Sequence, residues 1–193
     1  MNKFNLDIPK MGYFIVYKGE GGWFTRRIVN AQIDEGLPKE DALYTHVETS
    51  LGGQWSVGAW PGSLSKVIDI TKKQKGRYIK IVRPTQCPEY DKRRIKVACW
   101  AASRCNIPYG YLGLLGYKVH KFINTKGNLF AWQGDVCSEI GSWAVVREYV
   151  FYDLQPVAMN LDTIFIPKQP SLMMPAHFLD KEYFEVVWEG VIE

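Results

Sequence analysis

The chain contains no Cys-X-X-Cys pair and no histidine–cysteine spacing of the kind that binds zinc, so no metal site is expected. Its four cysteines are Cys87, Cys99, Cys105 and Cys137, and its only imidazoles are His46, His120 and His177. No apolar run approaches the roughly 20 residues that a membrane helix needs, which argues against an integral membrane protein. The opening MNKFNLDIPKMGYF lacks a basic start, an apolar stretch and a small-residue cleavage site. The expectation is therefore a cytoplasmic protein with free thiols in a reducing compartment. Delivery by a phage or virion is the alternative route to an outside target. No repeat, low-complexity tract or linker divides the 193 residues, which read as one domain, 1–193. The net charge is only +4, and neither basic cluster, TKKQKGRYIKIVR or DKRRIK, lies in a nucleic-acid-binding signature. No nucleic-acid partner and no organic cofactor are implied, and the oligomeric state stays open.

What is abundant is aromatic: 14% of residues, including seven Trp and eleven Tyr, within a chain that is 47% hydrophobic. Packed rings in a core are the first use for them. PKMGYFIVYKGEG reads as a strand at Gly12–Tyr17, and TRRIVNAQIDEG as a short helix ended by Gly36-Leu37-Pro38. Two strand-like runs flank Gly52-Gly53, the signature of a hairpin. A turn centred there puts Gly58, or its neighbour, across from His46, and Ser56 across from Glu48. SKVIDIT and GRYIKIVRP are two further strands, split by a polar turn KKQKG. DKRRIKVACWAASRCN is a helix with Ile95, Cys99, Trp100 and Ala102 near one face. A second main helix spans Cys137–Val150, and strands are expected at Thr163–Ile166 and in YFEVVWEGV. This order predicts an α+β fold with an antiparallel sheet and helices beside it.

Within GDVCSEIGSWAVV, Cys137 stands in the first turn of its helix. The positive end of a helix dipole favours a thiolate there, whereas a structural cysteine is found inside an apolar stripe. Cysteine hydrolysis also needs an imidazole to hold the thiolate and a group to orient the imidazole. His46 lies in a strand followed by a hairpin, a rigid place for a base. His120 and His177 read as surface or packing residues. Strand alternation puts Tyr44, His46 and Glu48 on one face. Cys87, Cys99 and Cys105 read as packing or surface thiols, and Glu139 as an ordinary acid in a first helical turn.

Four segments in order, PKMGYFIVYKG, YTHVETSLGGQWSVGAWPGSLSKV, GDVCSEIGSWAVV and LMMPAHFLDKEYFEVVW, resemble the permuted NlpC-type branch of the papain-like cysteine hydrolases, especially its YiiX-like members. His46 precedes Cys137, as in the permuted order. The resemblance implies a papain-like core with Cys137 as nucleophile at a helix N-terminus and His46 on the facing sheet. It also implies amide or ester hydrolysis, or acyl transfer, through a thioester. One departure stands out. The family's third polar residue comes from the strand paired with the histidine strand, and the matching position here is Gly58, which cannot orient an imidazole. Glu48 is the candidate substitute; its other reading is a solvent-facing strand residue. The Gly- and Tyr-rich segment IPYGYLGLLGYKVHKF precedes the cysteine helix, and Tyr109 and Tyr111 are candidates for walls of a substrate cleft, or else parts of an aromatic loop packed on the sheet.

Three functions fit these readings. The first is a cysteine peptidase or amidase, with cell-wall peptides as one substrate class. The second is a hydrolase or transferase of lipid acyl groups using the same Cys–His dyad. The third is a binding or structural protein that keeps the fold without turnover, a reading motivated by Gly58.

Overall fold

FIVY, residues 14–17, is apolar at every position rather than at alternate ones, the pattern of a strand covered on both faces. In the computed structural model, which describes residues 4–87, 90–110, 137–146, 148, 166–168 and 170–193, this run forms β1 (Phe14–Lys18), with Phe14, Ile15, Val16 and Tyr17 all fully buried. The strand begins two residues later than the sequence suggests, because Gly12 takes a positive φ of 81° and leaves no room for a side chain against the Arg94 backbone.

The other elements are α1 (Gly22–Asp34), α2 (Lys39–Ala42), β2 (Tyr44–Gly52), β3 (Trp55–Gly58), β4 (Lys66–Asp69), α3 (Ile70–Lys73), β5 (Tyr78–Pro84), α4 (Tyr90–Ser103), α5 (Cys137–Val146) and β6 (Phe184–Val191). Short 3-10 turns cover Pro170–Leu172 and Pro175–Leu179. The fold is α+β, as expected. Its six strands make one antiparallel sheet in the order β4-β3-β2-β1-β5-β6. No helix among the described residues is long and apolar enough to cross a membrane.

Three local readings are corrected. First, the β2–β3 hairpin is out of the expected register: Thr49 pairs with Val57 and Ser50 with Ser56, and the ladder is irregular between Ser50 and Gly52. The extra residue in the turn shifts every pair, so Gly58 comes to lie beside Glu48 rather than across from His46. Second, the supposed turn after β4 contains α3, started by the Asp69 side chain, which accepts from the Thr71 and Lys72 backbone N–H groups. Third, α4 buries Tyr90, Val97, Ala98 and Ala101 and leaves Ile95 49% exposed and Cys99 exposed. α4 packs against α5 and β2, and its buried face includes the small Ala98 and Ala101, which a search for large apolar residues misses. The strand expected at Thr163–Ile166 lies outside the described residues except for Ile166, which is buried.

α5 is seated by Gly141. A Cβ there would stand 2.9 Å from Cε1 of the buried Phe14 ring, so the helix approaches β1 more closely than any larger residue permits. The fully buried Gln32 ties three elements together. Its Nε2 donates to the carbonyls of Ala42 (2.8 Å) and Tyr44 (3.0 Å), and its Oε1 accepts from the Ala176 N–H at 2.8 Å. The start of β2, two residues before His46, is thereby fixed to α1 and to the Pro175–Leu179 turn. Replacing Gln32 by Leu strands these backbone groups, and we expect a loss of about 3 kcal/mol in urea unfolding with the strand content kept in circular dichroism.

Candidate active site

The site is built on alternation. Side chains two apart in β2 share a face, and the residues directly opposite in β1 share it too. His46 and Glu48 are therefore neighbours, and Tyr17, the β1 partner of His46, joins them. The same alternation along β3 and its exit brings Ser56, Gly58 and Trp60 to Glu48 from the other side.

Glu48 is 1% exposed, which corrects its reading as a solvent-facing residue. Its Oε2 accepts from the Tyr17 hydroxyl at 2.7 Å and the Ser56 hydroxyl at 2.5 Å. Its Oε1 accepts from the Trp60 indole N–H at 2.7 Å and lies 3.4 Å from His46 Nε2. Burial alone would push this carboxyl up, but the hydrogen bonds and charge from His46, with Ser56 and Tyr17, hold it below its ordinary value, so it is ionised. Tyr17, fully buried and bonded to that carboxylate, is pushed well above the ordinary tyrosine value and stays a donor.

The space for Glu48 exists because residue 58 has no side chain. A Cβ on Gly58 would sit 2.7 Å from Glu48 Cγ. The glycine that cannot orient the imidazole is thus the condition for the acid that lies beside it.

His46 is 6% exposed, and its ring faces the Trp60 indole with centroids 3.7 Å apart. Burial works against its charged form; the charge and hydrogen bond of Cys137, followed by those of Glu48, outweigh it and raise its pKa to about 9. Cys137 is the first residue of α5 and is 6% exposed. The structure thus brings Cys137, His46 and Glu48 into one interacting set. Away from this set, burial raises the Cys87 thiol to about 12 and also raises the half-buried Cys105, and Cys99 is exposed.

The remaining sequence candidates are elsewhere. His177 is buried, its Nδ1 accepts from the Met174 N–H at 2.9 Å, and burial with the nearby Lys168 charge lowers it to about 4. Tyr109 is buried and meets Phe24 edge-on at 6.5 Å. Tyr111 and His120 lie outside the described residues. Glu139 is 2% exposed in the first turn of α5. Sequence reasoning missed Tyr17 and Trp60. Trp60 was within reach of the alternation rule, two residues beyond Gly58; Tyr17 needed the β1–β2 register. Among the described residues no group of His, Cys, Asp and Glu is arranged to hold a metal ion. No family model, curated protein or solved structure matches the chain.

Two outcomes follow. A pKa raised from 6.5 to about 9 means that His46 keeps its proton across neutral pH and gives it up only near pH 9. An NMR titration of the imidazole should show that midpoint, and Cys137→Ala should move it down, because the charge and hydrogen bond of Cys137 are the largest raising causes. Gly58→Ala should cost about 1–3 kcal/mol in urea unfolding, because a methyl group is forced into the Glu48 side chain.

Proposed function

We propose that this protein is a cysteine hydrolase or acyl transferase of the papain-like type, with Cys137 as nucleophile, His46 as acid and base, and Glu48 as the group that orients His46. The observation that carries the reading is the buried Glu48 carboxylate, hydrogen-bonded from several strands and facing the imidazole that interacts with Cys137. Burying a carboxylate merely to stabilise a fold is a poor exchange, since desolvation offsets much of the gain. An acid held ionised beside a histidine–cysteine pair has a chemical use.

In this mechanism the Cys137 thiolate attacks an acyl carbonyl. The electron pair moves to the carbonyl oxygen, where helix-start N–H groups such as that of Cys137, which have no intrahelical acceptor, stabilise the oxyanion. The imidazolium of His46 gives its proton to the departing amine or alcohol as the tetrahedral centre collapses to a thioester. A water or acceptor alcohol then loses its proton to His46 as it attacks the thioester, and the C–S bond breaks, which releases the acyl product and returns the Cys137 thiolate beside the imidazolium. With Nε2 turned to Glu48, Nδ1 is the nitrogen left for these transfers. Glu48 stays ionised throughout and keeps the ring in one tautomer.

Peptide amides, including those of cell walls, are the first substrate class; lipid acyl esters are the second, worked by the same residues. The inert reading rested on Gly58, and it loses its motive once Glu48 fills the space beside that glycine.

The test is the labelling of thiols by iodoacetamide, followed by mass spectrometry from pH 5 to 9. Cys137 should react ahead of Cys87, Cys99 and Cys105 at neutral pH, and His46→Ala should remove that lead. With an activated acyl ester, Glu48→Gln should lower turnover by roughly a hundredfold or more. A Cys137 that labels no faster than the other thiols in either protein would sink the proposal and leave a binding protein.

A further inference from the structure

Trp60 follows β3 and is half-buried. One side chain here touches both partners of the acid–base pair. The indole N–H donates to Glu48 Oε1 at 2.7 Å, the same oxygen that faces His46. The indole ring lies against the imidazole with centroids 3.7 Å apart and planes inclined by 36°. The ring is itself held: the Arg77 guanidinium lies 5.8 Å from its centroid, and Tyr17 meets it edge-on at 6.2 Å.

The His46–Glu48 contact does not fix the imidazole alone. At 3.4 Å it is long for a hydrogen bond, and the terminal torsion of a histidine is broad. A flat surface at stacking distance blocks rotation about that torsion. The same surface favours the charged ring, because the face of an indole attracts a cation.

We infer that Trp60 is the positioning residue of the site: its N–H sets the Glu48 oxygen and its ring sets the imidazole plane, so that one residue locks acid and base together. This inference rests on the catalytic reading above. It assigns Trp60 no proton transfer and no contact with substrate.

The stack is tested without altering Trp60. An imidazolium accepts an electron from an excited indole and quenches it. Wild-type tryptophan emission should therefore rise with pH as His46 loses its proton near pH 9, and this step should be absent in His46→Gln. A wild-type protein without the step overturns the stack and the inference with it. The hydrogen bond is tested by Trp60→Phe, which keeps an aromatic face and removes the donor. Iodoacetamide labelling of Cys137 at pH 7 should slow by roughly tenfold, and the effect should vanish in a Glu48→Gln background, because Trp60 acts through Glu48. Normal labelling in Trp60→Phe, or an undiminished effect in the double variant, overturns the positioning role. His46→Gln separates the two levels. If it slows Cys137 while Trp60→Phe does not, the inference fails and the catalytic reading stands; if His46→Gln leaves Cys137 unchanged, both fail.

Discussion

A carboxylate buried at the centre of a sheet sets the terms for everything around it. Glu48 is almost without solvent, so its charge must be answered by protein groups. Each answer comes from a different part of the chain: Tyr17 from β1, His46 from the same strand, Ser56 from β3 and Trp60 from the segment after it. These bonds form only when the three strands are in one register. A slip by one residue would turn Glu48 to the opposite face and part it from Tyr17, Ser56 and Trp60. The site and the sheet therefore specify each other. On the opposite face of β2 Val47 is fully buried in the core between Thr45 and Thr49, while the face of Glu48 selects a single arrangement.

Local signals made much of the fold legible. The all-apolar run of β1, the Gly52-Gly53 turn and the Gly36 stop after α1 each act through neighbours a few residues away. What failed depended on detail below that level. One irregular residue between Ser50 and Gly52 moved the hairpin register. The buried face of α4 includes Ala98 and Ala101 beside Tyr90 and Val97, and residues that small do not stand out in a pattern of apolar side chains.

The site was legible to a similar depth. Cys137 and His46 carry chemistry in their identity and position, and Glu48 follows from alternation along one strand. The surroundings that make Glu48 a buried anion were not legible. Tyr17 enters through strand pairing with His46, and the stacking of Trp60 depends on how the chain leaves β3. Both are consequences of tertiary geometry, which no short window contains. His177 shows the converse: an imidazole with the right chemistry that burial and the nearby Lys168 charge keep neutral, and so fit for packing.

The contact between Gly58 and Glu48 has an evolutionary consequence. The two positions compete for one volume, so an acid can stand on β2 or on β3 but not on both. Moving it from one strand to the other requires two coordinated substitutions. The single-step intermediates either crowd two acids into one desolvated space, where both cannot ionise, or leave none beside His46. The pair 48/58 is therefore expected to vary together or not at all.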